Sequence, residues 1–388
     1  MFVYLDNSAT TKPYAEVVAK IVHYMETQFG NPSSLHRMGI AAEKALKEAR
    51  KAMSASIGAK DEEIYFTSGG TEADNMALFG TAQARKRRGN KIITSRIEHP
   101  AILESCKNLE SLGFRVEYIP VDHNGVVDLS ALGDAVDEQT ILITIMQVNN
   151  EVGSIQPIAE IAELKNRIAK KLGTEILLHT DAVQSFGKLP VQIKDSGIDL
   201  LSVSGHKIHG PKGVGALYIR KGLNIHPYLH GGGQERGLRS GTEYVPAIAG
   251  FGTAVDLCMK NSDQRSETMR AVKNYLTEGI RFEIRDIRFN SPEDGSPAIL
   301  NVSFIGVRGE VLLHSLEQSD IYVSTGSACS SKKKSQSHVL EAMGLSGAEM
   351  EGAIRFSFSE FNTIEEMDHV LVQLKNAVEK FRKLGSFR

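Results

Sequence analysis

Short apolar segments alternate with segments of helical periodicity between residues 64 and 219, and no other feature of the chain limits its possible folds as strongly. We predict strands at 64–67, 91–94, 115–119, 140–146, 175–179, 198–203 and 214–219, and helices at 72–88, 101–112 and 157–171. Uninterrupted apolar strands that are joined through helices pair in parallel, because helices then cover both faces of the sheet. The sequence therefore predicts an α/β fold around a mainly parallel sheet.

The length of the chain indicates more than one structural unit. With 388 residues, the chain exceeds the usual limit of a single hydrophobic core. After Pro246 the pattern changes to long helical segments with fewer strands, and residues 260–264 form a plausible boundary. We predict a large domain of residues 13–260 and a smaller α+β domain of residues 1–12 and 261–388.

Composition and charge exclude several classes of protein. Hydrophobic residues make up 41% and charged residues 24%, which are ordinary values for a globular protein. A formal net charge of -2 gives no bulk attraction to nucleic acid or to an anionic membrane. We expect neither a targeting leader nor a membrane span, because the N-terminus lacks a basic segment followed by an apolar one and the apolar runs are short. The predicted location is the cytoplasm.

The three cysteines are widely spaced, which argues against a disulfide framework and a structural zinc site, so no metal is expected. Cys106 and Cys258 have apolar neighbours in helical patterns, and we predict that both are buried. Cys329 lies among small and polar residues, followed by Lys332–Lys334. Exposure and nearby cations favour a thiolate, so Cys329 is the predicted reactive cysteine. The lysines could also attract an acidic partner, or only keep this loop solvated.

Lys207 follows an apolar strand-like run and precedes a glycine-rich turn. A lysine at the end of a buried strand is costly unless its amine is used, because desolvation disfavours the ammonium. A Schiff-base lysine needs that property. The alternative is a basic surface loop, since further cations stand at positions 206, 209 and 212.

The sequence Ser-Gly-Gly-Thr-Glu at 68–72 stands between a predicted strand and a predicted helix. Small residues let the backbone approach an anion, and a helix N-terminus supplies free N–H groups, so this turn is a candidate phosphate site. It has neither the lysine of a Walker loop nor the glycine spacing of a dinucleotide site. The alternative is an ordinary helix start capped by Ser68 or Thr71.

Polar residues also follow other predicted strands. Asp181 could keep a pyridine nitrogen protonated, as a pyridoxal phosphate ring requires, or could only cap the next helix. His99 could stack on a ring and move protons, and Asn150 could bond a ring hydroxyl or a carboxylate, although either alone is more often structural. Together they suit one flat, phosphorylated heteroaromatic ligand at the carboxyl edge of the sheet.

Arg355 is the charged residue of an alternating segment at 353–359. Its planar fork matches a substrate carboxylate. A surface ion pair with Glu351 or Glu360 is the alternative.

Taken in order, these motifs resemble the cysteine desulfurases, which belong to the class V aminotransferase group of fold-type I pyridoxal phosphate enzymes. The motifs are YLDNSATT, FGNPSS, FTSGGTEADN, EHPAI, VNNEVG, HTDAVQ, SGHKIHGPKGVG, RSGTE, STGSACSS and IRFSFS. They extend over nearly the whole chain.

The resemblance implies a seven-stranded, mainly parallel sheet and a pyridoxal 5'-phosphate cofactor. Lys207 would form the Schiff base and move protons, and Cys329 would be the nucleophile. The implied cofactor contacts are Gly70, Thr71, Ser204 and His206 to the phosphate, Asp181 to the ring nitrogen, Gln184 to the ring oxygen, and His99 stacked on the ring. The implied substrate contacts are Asn150 and Arg355 to the carboxylate, with Asn31 in the same pocket. Thr242 would reach the phosphate of a neighbouring subunit, which implies a homodimer.

The implied reaction takes sulfur from L-cysteine, leaving L-alanine and a persulfide on Cys329. The segment 329–338 resembles the subgroup with a longer catalytic loop, which passes sulfur to a protein partner, either an iron-sulfur scaffold or a tRNA-thiolation enzyme. Competing interpretations are a selenocysteine lyase, another class V aminotransferase, or a non-catalytic scaffold for sulfur assembly.

Overall fold

The computed structural model describes residues 1–194, 196–325 and 336–385. The predicted nucleophile Cys329 and the three lysines at 332–334 lie outside the described residues.

The strands and helices of the described residues have the following bounds. The strands are β1 (Val3–Tyr4), β2 (Ile64–Thr67), β3 (Lys91–Ser95), β4 (Arg115–Ile119), β5 (Thr140–Thr144), β6 (Leu177–Asp181), β7 (Leu200–Ser204), β8 (Gly215–Ile219), β9 (Ile287–Phe289), β10 (Ile299–Phe304), β11 (Ile321–Tyr322) and β12 (Ala353–Ser357). The helices are α1 (Ala15–Glu26), α2 (Arg37–Ile57), α3 (Gly70–Arg85), α4 (Pro100–Ser111), α5 (Leu129–Ala135), α6 (Ile158–Leu172), α7 (Val245–Lys260), α8 (Ser262–Glu283), α9 (Gly309–Glu317), α10 (His338–Ala342), α11 (Gly347–Glu351) and α12 (Ile364–Gly385).

A seven-stranded sheet in the order β2-β8-β7-β6-β5-β3-β4 forms the centre of the molecule, which confirms the predicted α/β fold. All its neighbouring strands pair in parallel except β8, which is antiparallel to both β2 and β7. Gly215 at the start of β8 pairs with Thr67 and with Ser204, so the carboxyl ends of β2 and β7 meet beside it. A Cβ at Gly215 would come within 2.5 Å of the Val203 carbonyl oxygen and 2.8 Å of Gly69, so only glycine allows this approach.

Alternate residues of the central strands face opposite layers of helices, as expected for a sheet that is covered on both sides. One face packs against α1, α2 and α7, and the other face packs against α3 and α4. The first core includes Ile93, Ile143, Leu178 and Leu201, and the second includes Ile92, Leu142, Leu177 and Leu200. These eight side chains are completely buried, which explains why the strands show no polar alternation in the sequence.

The predicted bounds agree best with the observed ones where an apolar strand pattern ends at turn-forming residues. Strands β2 and β4 have the predicted bounds, whereas α3 runs from Gly70 to Arg85 instead of 72 to 88. Helix α5 and the short strands after residue 286 were not predicted individually, because each is too short to show a clear period.

A separate apolar core lies in the C-terminal third. A three-stranded antiparallel sheet, β12-β10-β9, packs with α8, α9 and α12. Val3 and Leu5 belong to this core, and β1 pairs in parallel with β11. The proposed domain boundaries at 12/13 and 260/261 stay a prediction.

The N-terminal segment 4–11 connects the C-terminal core to the central sheet. The Asn7 amide donates to the Ser357 carbonyl at 2.9 Å, and the Thr11 hydroxyl donates to the His206 carbonyl at 3.0 Å. The segment therefore contacts both β12 and the turn after β7. Within the described part of the chain, no helix is long and apolar enough to cross a membrane.

Candidate active site

A cavity of about 460 Å³ opens at the carboxyl ends of the parallel strands and is closed on one side by the N-terminal segment. Ten of the predicted site residues line it: Gly70, Thr71, His99, Asn150, Asp181, Gln184, Ser204, His206, Lys207 and Arg355. They come from six separate segments of the chain. Their convergence supports the interpretation that one ligand occupies the strand ends.

The start of α3 forms one end of the cavity. Neither Ser68 nor Thr71 caps the helix: the N-cap is Gly69, which has no side chain, so the predicted cap was wrong. Instead the Glu72 carboxylate accepts from the Ser68 N–H at 2.8 Å. A Cβ at Gly70 would come within 2.8 Å of the Val183 side chain, so the backbone is close to its neighbours here. The first N–H groups of a helix have no intrahelical acceptor, and with the Ser204 hydroxyl nearby they suit a phosphate.

Lys207 reaches the cavity from a single 3₁₀ turn, Gly205–Lys207, that directly follows β7. Its Nζ donates to the Ser8 carbonyl at 2.6 Å and to the Ala9 carbonyl at 2.8 Å. The interpretation as a basic surface loop was wrong, because Lys207 is half-buried and His209 is buried. Burial, reinforced by the charge of Lys207, lowers the pKa of His206 to about 4.

Asp181 is buried at the end of β6. Its carboxylate accepts from the Val183 N–H at 2.8 Å, and the next residues form turns, so its alternative role as a helix cap was wrong. Burial raises the pKa of Asp181 to about 6, and the positive charge of Lys207 acts in the opposite direction. A positively charged ring nitrogen at this point would stabilise the ionised carboxylate.

Two further buried carboxyl groups near Asp181 were missed in the sequence. Burial raises the pKa of Asp74 well above its usual range, and the charge of Asp181 raises it further. Burial likewise raises the pKa of Glu98 to about 8, although Glu98 accepts hydrogen bonds from Ser95 and from the Met146 N–H. Because like charges disfavour one another, this part of the cavity favours a cationic ligand group or a shared proton.

His99 begins α4, and its Nδ1 accepts from the Ala101 N–H at 3.1 Å. The proton of the neutral ring is therefore on Nε2. Burial, reinforced by Lys207 and His338, lowers the pKa of His99 to about 4. A neutral ring whose Nδ1 is already occupied suits stacking or donation from Nε2 better than it suits the role of a base.

The guanidinium of Arg355 lies at the other end of the cavity. It donates to the Asn150 carbonyl at 2.9 Å and pairs with Asp6 at 2.8 Å, so the predicted alternatives Glu351 and Glu360 were wrong as partners. Its Nε is buried and has no hydrogen-bond partner. An incompletely satisfied guanidinium fits a carboxylate ligand.

Two predicted residues are not brought into the cavity of this chain. Asn31 is exposed, and its side chain accepts from the Ser33 N–H. Thr242 is also exposed and does not line the cavity. Their site roles, like that of Cys329, stay predictions.

The comparisons with known proteins agree with this site. The model of the family "Aminotransferase class-V" matches residues 3–370. The chain belongs to the aminotransferase class-V family. It is 44% identical to "Cysteine desulfurase IscS" of Dictyoglomus turgidum over 387 residues, which are 100% of this chain and 97% of that protein. It is 43% identical to the protein of the same name from Escherichia coli O139:H28, covering 99% of this chain and 94% of the other.

Solved structures also match this chain. A "NIFS-LIKE PROTEIN" has a TM-score of 0.91 at 41% identity and covers 98% of this chain and 100% of its own. The structure titled "SspA in complex with cysteine" has a TM-score of 0.82 at 36% identity, covering 93% of this chain and 100% of its own. These matches confirm the fold over nearly its full length.

Pyridoxal 5'-phosphate is the cofactor of this enzyme class, and the cavity fits it. The α3 N-terminus with Ser204 and His206 suits the phosphate, Asp181 suits the ring nitrogen, and Lys207 lines the same cavity. The donor chemistry and the buried carboxylate both agree with the sequence-based expectation.

The shifted pKa of His99 predicts its titration. In the cofactor-free protein, the ring is expected to stay neutral from pH 8 down to pH 5 and to take up a proton only near pH 4. NMR of the His99 ring carbons checks this, with the urea-unfolded protein as the reference, in which histidine titrates near its ordinary pKa of about 6.5. A midpoint near that ordinary value in the folded protein would contradict the buried environment of His99.

Proposed function

We propose that this protein is a pyridoxal phosphate-dependent cysteine desulfurase. The observation that carries the proposal is the convergence of Lys207, Asp181 and Arg355 on one cavity at the strand ends. The full-length similarity to proteins named cysteine desulfurase selects this reaction among those of the class-V family. No observation on the described residues favours an aminotransferase or a non-catalytic scaffold.

Different side chains of the cavity have different roles in the proposed reaction. When bound, pyridoxal phosphate supplies an electron sink for the electrons released at the substrate α-carbon. Arg355 binds the carboxylate of L-cysteine and thereby orients the α-carbon. The Lys207 amine removes the α-proton and returns a proton to the product, and the Asp181 carboxylate holds a proton on the ring nitrogen.

Cys329 is the proposed sulfur acceptor. Its thiolate attacks the substrate sulfur, so a sulfur–sulfur bond forms while the substrate carbon–sulfur bond breaks. The electron pair of the broken bond stays with the β-carbon, which takes up a proton, and the products are L-alanine and a persulfide on Cys329. The persulfide sulfur then passes to a protein acceptor for iron-sulfur cluster assembly or tRNA thiolation. The assignment of the nucleophile rests on the sequence motif.

The test is a product assay on the full chain loaded with pyridoxal phosphate. With L-cysteine and a thiol reductant, we expect alanine and sulfide in equal amounts. L-Selenocysteine as the only accepted substrate would indicate a selenocysteine lyase instead. Transfer of the amino group to a keto acid would indicate an aminotransferase, and a colourless, inactive protein would indicate a scaffold.

Removal of Arg355 is expected to weaken substrate binding. Arg355→Ala should raise KM for L-cysteine by about 10- to 100-fold, the usual range for a lost hydrogen bond to a charged group, with a smaller change in kcat. Steady-state kinetics checks this. Arg288→Ala is the matched control, because Arg288 lies in the same three-stranded sheet and pairs with Glu349 at 2.8 Å, outside the cavity. An unchanged KM in Arg355→Ala would remove Arg355 from the substrate site.

We also propose a homodimer in the cytoplasm. Val18, Val22 and Met25 are spaced i, i+4 and i+7 on α1, and each is between 43% and 54% exposed. Such an apolar face on a single chain is typical of an interface. Thr242 lies outside the cavity of its own chain, which supports its predicted contact with the neighbouring subunit.

The free, buried thiols of Cys106 and Cys258 support a reducing compartment, as expected for the cytoplasm.

The homodimer predicts a mass twice that of the 42.4 kDa chain. Val22→Asp should shift the protein toward a monomer, because the charge would be buried in the interface. Light scattering after size exclusion measures this. Val372→Asp is the matched control, since Val372 is a 54% exposed valine on α12. A wild-type monomer, or equal behaviour of both variants, would contradict the proposed interface.

A further inference from the structure

Lys188 is a buried lysine behind the cavity to which the proposed reaction gives no role. It is 7% exposed, and its Nζ donates to Gln184 Oε1 at 2.9 Å. Among residues 1–194, 196–325 and 336–385, no carboxylate oxygen lies within 4.0 Å of this amine. Burial lowers the pKa of Lys188 to about 7, and the charge of Lys207 lowers it further. A buried amine without a carboxylate is costly, so its position needs a compensating role.

The partners of Gln184 determine the orientation of its amide. A backbone carbonyl only accepts, so the Ser8 carbonyl must face the amide nitrogen, and a protonated lysine amine only donates, so Lys188 suits the amide oxygen. Gln184 Oε1 faces Lys188, and Nε2 donates to the Ser8 carbonyl at 2.9 Å. Turning the amide over would place two donors together and two acceptors together. The orientation is therefore set by the two neighbours.

This orientation decides what Gln184 can offer to a ligand. The amide nitrogen carries two N–H groups, and one of them is used by Ser8. Gln184 lines the cavity, so the second N–H is available there as a donor. The amide oxygen is already occupied by Lys188. The cavity wall at Gln184 is thus specific for an acceptor, such as an ionised ring hydroxyl.

We propose that Lys188 is a positioning residue that fixes the Gln184 amide so that its N–H faces the ring oxygen of the cofactor. The inference rests on the proposed function, because it takes pyridoxal phosphate as the ligand of the cavity. Lys188 acts through Gln184 and does not line the cavity itself. Without Lys188, the amide oxygen loses its donor and only the Ser8 carbonyl holds the amide, so the second N–H is held less firmly toward an ionised ring oxygen.

The test measures the affinity of cofactor-depleted, full-length protein for pyridoxal phosphate and for 3-deoxypyridoxal phosphate, which lacks the ring oxygen. Lys188→Met should weaken binding of pyridoxal phosphate about tenfold, the loss expected for one hydrogen bond to a charged group, and should shift the visible absorption of the bound cofactor. Binding of the 3-deoxy analogue should not change. Lys273→Met is the matched control, because Lys273 is buried and donates to the Ser296 carbonyl at 2.9 Å, and neither residue lines the cavity.

A double-mutant cycle separates positioning from a general structural effect. Gln184→Leu with Lys188→Met should bind pyridoxal phosphate as weakly as Gln184→Leu alone, because the lysine acts only through the amide. Additive losses, an equal loss with the 3-deoxy analogue, or an unaffected Lys188→Met protein would overturn the role of Lys188. A wild-type protein that binds no pyridoxal phosphate would overturn the proposed function as well.

Discussion

Lys207→Ala is expected to lose turnover of L-cysteine by about 10³-fold or more, since an amine that moves a proton in the reaction contributes 10²- to 10⁴-fold and here also holds the cofactor. The ammonium donates to the backbone carbonyls of Ser8 and Ala9, and circular dichroism of Lys207→Ala checks that the fold survives their loss. Lys207 is the lysine that lines the cavity within the described residues. Alanine and sulfide release measures the loss.

Covalent trapping gives an independent readout of the same residue. After borohydride reduction of the wild-type protein with pyridoxal phosphate, mass spectrometry should find the adduct on the Lys207 peptide, and Lys207→Ala should carry none. Lys212→Ala is the matched control, because Lys212 is exposed five residues further along the same turn. An adduct on another lysine, or normal turnover by Lys207→Ala, would disprove the assignment.

Cys329→Ser should abolish sulfide release while the variant still binds L-cysteine. Loss of an enzyme nucleophile lowers kcat by about three orders of magnitude or more. The two other cysteines cannot replace it, because both are completely buried. Burial raises the pKa of Cys106 to about 12 and also raises that of Cys258, so neither forms a thiolate at neutral pH.

Mass spectrometry after one turnover locates the transferred sulfur atom. In the wild-type protein we expect one added sulfur on the peptide that contains Cys329 and none on the other cysteines. Cys106→Ala should form the same persulfide, since its thiol only fills space in the core beside α3 and β3. A persulfide on Cys106 or Cys258, or full sulfide release by Cys329→Ser, would show that the nucleophile is elsewhere.

Local sequence patterns predicted the strand ends that carry this site, because each pattern depends only on residues that are close together in the sequence. The apolar run before Lys207 and the glycines before α3 define strand ends, and parallel strands bring their carboxyl ends to one edge. Asp181 and His99 could be placed there for the same reason. The structure confirms the sheet and puts these residues around one cavity.

Contacts between distant segments could not be predicted in this way. Arg355 pairs with Asp6, which is 349 residues away in the sequence, so the nearer Glu351 and Glu360 were the natural but wrong candidates. The buried carboxyl of Asp74 lies in a helix of unremarkable pattern, and its burial depends on packing that the sequence does not display. Lys188 is only four residues from Gln184, so the sequence allows their contact. The sequence does not show that both side chains are buried, and burial is what makes this hydrogen bond significant.

The N-terminal segment ties the completion of the cavity to the order of protein synthesis. The Asn7 amide needs the Ser357 carbonyl as its partner, so this segment must wait for a strand that is translated 350 residues later. At about 5–20 residues per second, that wait lasts roughly 20 to 70 seconds. Binding of pyridoxal phosphate is therefore expected only after β12 has been translated, and stalled chains that end before residue 353 should not retain this cofactor.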